Sequence, residues 1–430
     1  MKTVYVGMSG GVDSSVSALL LKEQGYHVVG IYMKNWSKDL PGMKCPWAED
    51  LADAKRVAVK LGIDFEVWDF EDAYREKVVE YMLDEFKKGN TPNPDIMCNQ
   101  EIKFKLFYEK AMEAGADFIA TGHYARLGRF ERNHSGDGSL RPVVTGGAPS
   151  SSVVTSGSPR VISSQSSSAS LMRAVDENKD QTYFLYRISE EALSHTIFPI
   201  GEMTKPEVKK LAEKHGLHNA YKKESMGVCF VGEVGMKDFL KEYIDIEPGE
   251  IREIESEKVL GYHEGAVFYT IGQRHGLYLN GEKGTVNDGM PYYVVKKDIK
   301  NNVIYVSKNL NHKAIWTKEL ELRDVLIRTE PIFSSAGLEF SSTSYTGTPA
   351  EPSLRDEPVG SVRNIRVENS NHFMLQKKQV SVRLRHRAPL VPATFDGKTL
   401  YFEKEIKRPA SGQSAVLYDG EICLGGGIIA

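Results

Sequence analysis

Ser9-Gly10-Gly11-Val12-Asp13-Ser14-Ser15 constrains this chain more than any other stretch. It follows the apolar run Val4-Tyr5-Val6-Gly7-Met8 and precedes Val16-Ser17-Ala18-Leu19-Leu20-Leu21. The β-branched and aromatic run reads as a buried strand, the leucines recur at helical spacing, and the paired glycines permit a turn closed to other residues. The turn therefore sits at a helix N-terminus. Unpaired backbone N–H groups, the helix dipole and the serine hydroxyls there suit an anion of phosphate geometry. The plainer reading is a Gly/Ser turn that only starts a helix, with Asp13 or Ser14 as its cap. No Gly-Lys-Ser/Thr ends the stretch and a third glycine is missing, so neither of the two commonest nucleotide-loop signatures fits.

Strands and helices alternate from there. His27 to Met33 reads as a strand, Ala48 to Leu61 as a helix, Gly62 to Trp68 as a strand, Tyr74 to Lys88 as a helix ended by Gly89, and Ala116 to Ala120 as a strand. Such alternation predicts a doubly wound parallel sheet with its ligands outside the carboxyl ends of the strands. Met33 ends one strand and suits either a purine or the core. Thr121-Gly122-His123-Tyr124 ends another: Gly122 lets backbone approach a nucleotide, and His123 suits a phosphate, a substrate or a structural hydrogen bond.

Between these lies Thr91-Pro92-Asn93-Pro94-Asp95-Ile96-Met97-Cys98, two prolines fixing an extended loop ahead of a helix from Gln100 to Ala114. Cys98 is thus expected at a helix N-terminus beside Lys103 and Lys105, where a thiol ionises more readily. An isolated cysteine is otherwise an inert core residue. Cys229, in Gly227-Val228-Cys229-Phe230, follows Lys222 and Lys223; burial would raise its pKa and the lysines lower it.

Residues 133–170 turn abruptly to Ser, Gly, Pro and Thr and read as a flexible loop interrupting a hairpin; residues 333–358 are a second such segment. Lys179, Asp180 and Gln181 precede an aromatic run and suit phosphate and base edges, though Asp180 also reads as a helix cap. Lys205 to His215 reads as a basic helix with Lys209, Lys210 and Lys214 for a polyanion or for solubility. Past residue 233 the pattern becomes short strands: Gly265 to Ile271, Tyr292 to Val295, Asn302 to Val306, and later Val380 to Arg387 and Ser414 to Tyr418. Arg383, Arg385 and Arg387 would then line one strand face, an arginine ladder suited to RNA phosphate.

At 430 residues the chain exceeds a single core. The divisions expected are 1–232, 233–308 and 309–430. No apolar run spans a bilayer and no signal segment precedes the first strand, so a cytoplasmic protein without membrane contact is expected. The four cysteines show no paired spacing, which speaks against a secreted disulfide framework or a zinc knuckle. A net charge of −3 argues against indiscriminate polyanion binding.

Gly7-Met8-Ser9-Gly10-Gly11-Val12-Asp13-Ser14 resembles the pyrophosphate loop of enzymes that split ATP into AMP and pyrophosphate. Together with Met33-Lys34-Asn35-Trp36, Thr91 to Asp95, Cys98-Asn99, Thr121 to Tyr124, Asn178 to Gln181, Gly227 to Phe230 and Pro409 to Ser414, it resembles the tRNA-specific 2-thiouridylases. That resemblance implies an α/β pyrophosphatase domain, a small central β module and a C-terminal β-barrel. It implies that Gly7 to Ser14, Met33 and Gly122 bind ATP with Mg²⁺, that Asn93, Pro94 and Asp95 hold the target base, and that His123, Lys179, Asp180, Gln181, Arg385, His386 and Gln413 meet tRNA at its wobble uridine. It makes Cys98 the nucleophile, Cys229 the persulfide carrier, the two joined transiently as a disulfide, Asp95 an acid/base partner, and a cysteine desulfurase or sulfur-relay protein the donor. An iron–sulfur cluster on Cys98, Cys229 and Asp95 is the other sulfur route. Another adenylating synthetase, or a non-catalytic RNA-binding protein that senses nucleotide, are the rival functions. The synthetase has no use for two separated cysteines, and the binding protein would release no pyrophosphate.

Overall fold

The computed structural model describes residues 1–39, 45–132, 140–144, 169–223, 236–279, 282–283, 290–328 and 377–430. Strands β1 (Thr3–Gly7), β2 (His27–Lys34), β3 (Asp64–Asp69), β4 (Phe118–Thr121) and β8 (Thr196–Ile197) form a parallel sheet in the order β3-β2-β1-β4-β8. The chain winds outward in both directions from β1, so the crevice between the carboxyl ends of β1 and β4 is the switch point where a doubly wound sheet takes its ligand. Val4, Val6, Ile31, Ile119 and Ala120 are fully buried, because helices cover both sheet faces.

Helix α1 (Val12–Glu23) follows β1 directly, and α2 (Trp47–Leu61) ends at Gly62, whose φ of 59° provides the left-handed cap. The third helical stretch runs Glu71–Tyr74, π-helical Arg75–Glu80, then Tyr81–Lys87. The fourth runs Pro94–Met97, π-helical Cys98–Leu106 and Phe107–Glu113. It begins at Pro94, well ahead of the expected start at Gln100. Asn93 is the N-cap, its side chain accepting from the Asp95 N–H, and Pro94 supplies the fixed φ favoured in a first turn. Cys98 therefore lies inside a continuous helix, not at its N-terminus, and the expected dipole-assisted ionisation loses its geometric basis.

Strands β5 (Arg126–Arg132), β6 (Leu140–Val144) and β7 (Ser170–Met172) do not extend the parallel sheet. Both β6 and β7 pair with β5, and β7 pairs with β20 (Ile422–Ile429) at Met172 and Ile422, so this hairpin joins the C-terminal barrel. Residues 140–144 are thus strand where the whole 133–170 segment was expected to be loop; 133–139 and 145–168 lie outside the described residues.

The middle of the chain forms an antiparallel-rich sheet of β9 (Gly249–Glu253), β10 (Val259–His263), β11 (Tyr278–Leu279), β12 (Glu282–Lys283), β13 (Tyr293–Asp298) and β14 (Val303–Ser307). The strand expected at Gly265 to Ile271 is instead a 3₁₀ turn at Ala266–Phe268. The Ala266 N–H is drawn to Asn302 Oδ1 and the Phe268 N–H to the Gly265 carbonyl, so neither is left for a ladder.

In the C-terminal region β15 (Trp316–Ile327), β16 (Lys378–Arg383), β17 (Val391–Phe395), β18 (Thr399–Lys407), β19 (Ser414–Asp419) and β20 pair in the order β15-β18-β17-β16-β19-β20, and β20 pairs back to β15, closing a six-stranded barrel. Its interior is filled by Leu320, Val382, Phe395, Leu400, Phe402 and Leu417. The residues at 333–358 lie outside the described ones. No described helix is long and apolar enough to cross a membrane.

Candidate active site

The loop from Ser9 to Ser15 is built by hydrogen bonds within itself. Ser14 Oγ accepts from the Ser9 N–H at 3.2 Å and lies 3.3 Å from Ser9 Oγ, while Ser15 Oγ donates to the Gly11 carbonyl at 2.8 Å. Gly11 is the N-cap of α1 and no side chain caps it, so the cap expected of Asp13 or Ser14 is absent and the first N–H groups of the helix stay available to an anion. Gly10 has φ +76°, and a Cβ there would lie 2.3 Å from the Asp50 carbonyl oxygen, so only glycine fits. Asn219, buried, donates from Nδ2 to the Gly10 carbonyl at 2.9 Å and to Ser15 Oγ at 2.8 Å.

The other wall comes from the end of β4. A Cβ on Gly122 would meet the Ser14 nitrogen at 2.6 Å and the Asp13 carbonyl carbon at 2.8 Å, so the two strand ends touch across the crevice through a glycine. Tyr124 donates its hydroxyl to Asp13 Oδ1 at 2.9 Å. Met8 is buried under Gly30, with Sδ 2.6 Å from where a Cβ would stand, and Val12 is buried in the same core. Met33, half-buried, places its Cε 2.8 Å from the corresponding point on Gly7. Phe107 touches Gly7 from the Cys98 helix, with Cε1 3.8 Å from that same point.

Three residues of this site gave no clear signal in the sequence. Asn219 sits in a polar stretch with no motif. Lys205, read above as the start of a basic surface helix, is buried, and its Nζ stands 2.7 and 2.8 Å from the two Asp13 carboxylate oxygens. Lys222 anchors to Asp50 at 2.7 Å and Asp53 at 2.6 Å. Burial pushes the Asp53 carboxyl up, but the hydrogen bonds from Lys222 and His218 outweigh it and hold the group below its ordinary range.

Asp95 and Cys98 stand three residues apart on one helix, the spacing that puts side chains on one face. Asp95 is partly exposed, and desolvation raises its pKa against the opposing charge of Lys103. A carboxyl raised in this way holds a proton more readily than a solvated one. Cys98 is buried, 4 % exposed, at the first position of a π-helical stretch, a form of helix common at functional sites. Further along the same π-helical stretch, Phe104 packs against the His123 ring with centroids 5.8 Å apart. His123 is itself buried and shares a 2.8 Å hydrogen bond with Thr121; desolvation first and Lys103 second push its pKa well down, so the ring is neutral. In this arrangement His123 braces Phe104 and Phe198 instead of facing RNA.

The loop ahead of this helix is gripped from two sides. The Thr91 N–H donates to the Ser411 carbonyl at 2.7 Å and Gln413 Nε2 donates to the Thr91 carbonyl at 2.8 Å; a Cβ on Gly412 would reach Asn90 Cβ at 2.9 Å. From the central sheet, Lys297 donates to the Gly89 carbonyl at 2.6 Å and Ile299 packs on Gly89. Gln413, expected to meet tRNA, is engaged with the Thr91 loop.

The other residues assigned to tRNA divide sharply. Asp180 is fully buried: Arg383 Nη1 is 2.6 Å away, Arg173 Nε 3.7 Å, and Thr182 Oγ1 donates to it at 2.9 Å. Gln181 accepts from the Tyr124 N–H at 2.8 Å. Asp180 is not left to read base edges, because long-range partners occupy its buried carboxylate, while the Gln181 side-chain oxygen is taken up by the Tyr124 backbone. The arginine ladder also fails: β16 ends at Arg383, which turns inward to Asp180, while exposed Arg385 and Arg387 belong to the following turn, Arg387 at φ +63°. His386 packs on Phe184 at 4.5 Å, and burial, with Arg387 and Arg383 adding, brings its pKa down to about 4. Lys179 is half-buried in a turn closed on Asp176.

Of the described cysteines, Cys45 is half-buried and Cys98 and Cys423 are buried. Burial pushes Cys423 up to about 11, as a core residue should be. Cys229 lies outside the described residues. Among the described residues no group of three or more His, Cys, Asp and Glu could hold a metal ion.

A parallel sheet with a glycine-turned anion loop at its switch point defines a nucleotide-binding α/β protein, and residues 2–233 match a family model described as the tRNA methyl transferase HUP domain. Residues 237–308 match the tRNA methyl transferase PRC-barrel domain, and 362–429 the aminomethyltransferase beta-barrel domain. The tRNA-specific 2-thiouridylase MnmA 1 of Geobacillus kaustophilus is 40 % identical over 428 residues, covering 100 % of this chain and 95 % of its own. The MnmA proteins of Listeria monocytogenes serotype 4a, at 40 % over 99 % of this chain and 94 % of theirs, and of Pseudomonas syringae pv. syringae, at 39 % over 100 % and 94 %, carry the same description. The chain belongs to the tRNA-specific 2-thiouridylase family.

Proposed function

We propose that this protein is an ATP-dependent tRNA-uridine 2-sulfurtransferase acting at the wobble position, in the cytoplasm. Full-length kinship to the 2-thiouridylases supports the reaction. The observation that carries the reading is that one helix holds Asp95 and Cys98 on a common face and continues to Phe107 beneath Gly7 of the anion loop. A division at residues 1–232, 233–308 and 309–430 accompanies the reading.

The uracil C2 oxygen is a poor leaving group. Attack of that oxygen on the α-phosphorus of ATP expels pyrophosphate, which the N–H groups heading α1 and the magnesium carried with ATP stabilise, and leaves AMP bonded to the base. Asn93, Pro94 and Asp95 would hold the extruded nucleotide. The terminal sulfur of a persulfide on Cys229 then attacks C2, or leaves as sulfide once Cys98 attacks the sulfur–sulfur bond. In the first order AMP departs and Cys98 then attacks the Cys229 sulfur, expelling the base with its sulfur; in the second the freed sulfide attacks C2 and AMP departs. Either way Cys98 and Cys229 end as a disulfide that an external thiol must reduce. Asp95, with its raised pKa, is suited to moving a proton at the base. The persulfide sulfur would come from a cysteine desulfurase or a relay protein. Arg385, exposed in the turn after β16, suits tRNA phosphate.

The test is incubation with ATP, Mg²⁺, a sulfur source and unmodified tRNA, followed by nucleoside mass spectrometry. Wild type should yield 2-thiouridine, and Cys98→Ser none, with ATP binding unchanged. Normal 2-thiouridine from Cys98→Ser would end the assignment of Cys98.

A further inference from the structure

The carboxylate of Asp13 poses a problem of charge. It lies in the first turn of α1, where the helix dipole favours an anionic side chain but where an incoming polyphosphate would meet like charge. Lys205 answers it. Its backbone is fixed at the start of the helix Lys205–Lys214: Thr204 and Glu207 form a capping box, and the Lys205 N–H donates to Asp176 Oδ2 at 2.9 Å. Its side chain is buried, its ammonium is paired with both Asp13 oxygens, and it lies 5.9 Å from the centre of the Tyr124 ring. Asp13 keeps 29 % of its side chain exposed against 8 % for Lys205, so the lysine meets the loop's guest through Asp13.

We infer that Lys205 is a positioning residue for the nucleotide: it neutralises and orients Asp13, so that the anion loop receives ATP without an unpaired carboxylate facing the phosphates. Lys205 and Tyr124 hold Oδ1 between them, while Oδ2 is met by Lys205, fixing the plane of the carboxylate. The inference rests on ATP as the loop's ligand and is read by ATP binding alone, without tRNA or sulfur. Its failure therefore differs from failure of the thiolation reading, which nucleoside analysis reports.

Titration calorimetry with ATP and Mg²⁺ on the full chain provides the test, with tRNA affinity and melting temperature measured beside it. Lys205→Met should weaken ATP binding tenfold or more and leave tRNA affinity within twofold, a split that general loss of structure would not give. Asp13→Asn combined with Lys205→Met should bind ATP as Asp13→Asn does alone, because the lysine's effect on the nucleotide passes through the Asp13 carboxylate. Unchanged ATP affinity in Lys205→Met overturns the inference. So does a double variant that binds ATP at least fivefold more weakly than Asp13→Asn, since the ammonium would then act on phosphate directly. Should Lys205→Met not fold, the double variant, which leaves no charge buried, makes the same comparison with Asp13→Asn.

Discussion

The anion loop and the barrel-side surface are both rich in polar residues, yet they are built in opposite ways. The loop makes its own bonds over a span of six residues, Ser9 to Ser14, and borrows Asn219, Lys205 and Gly122 only to hold it. At the barrel, polar side chains work across the whole chain: Asp180 to Arg383, Gln413 to Thr91, Arg187 to the Asp324 carbonyl, and Arg328 to the carbonyls of Tyr186 and Ile188. A glycine turn between strand and helix carries its chemistry in local sequence. A polar residue beside an aromatic run does not disclose whether it meets solvent or an ion-pair partner two hundred residues away.

Asp180→Ala probes the contrast hardest. It strips the partner from buried Arg383, and removing one member of such a pair costs about 3–5 kcal/mol. Urea unfolding should register that loss, and a change below about 1 kcal/mol would mean that Asp180 is free for RNA after all. Gly122→Ala comes next: its methyl group would push into the Asp13 and Ser14 backbone, and ATP affinity should fall by about tenfold to a hundredfold, the equivalent of about 1.4–2.8 kcal/mol, with a lowered melting temperature from the same clash. Arg385→Ala should leave stability alone and weaken tRNA binding several-fold, lowering the slope of log affinity against log salt by about 1. An unchanged salt slope would remove Arg385 from the interface.

The smallest effect concerns pH. His386 is held near 4 by burial and by Arg387 and Arg383, with Lys179 adding and Asp180 opposing, against about 6.5 in an unfolded chain. Between those values the unfolded chain binds the extra proton, so stability rises with pH from 4 to 6.5 and falls on acidification through the same window. Melting curves from pH 4.5 to 7 should be flatter for His386→Gln than for wild type; identical slopes would show that the ring titrates without penalty.

The parallel sheet, its strand ends and the anion loop were legible because strand, turn and helix signals there agree within a dozen residues. The start of the Cys98 helix was missed although its signals were local: Asn93 as cap and Pro94 in the first turn outweigh the extended reading that two prolines invite. Lys205 and Asn219 were missed because only the fold brings them to the loop. Barrel closure by β15 and β20 and the transfer of β5–β7 to the barrel depend on pairings that periodicity does not encode.

The grip of Ser411 and Gln413 on Thr91 sets a schedule for the newborn chain. More than three hundred residues must emerge from the ribosome after Thr91 before the last restraint on its loop can form. Synthesis halted short of that turn leaves the nucleotide loop complete in sequence but the Thr91 segment gripped from one side alone, by Lys297 and Ile299.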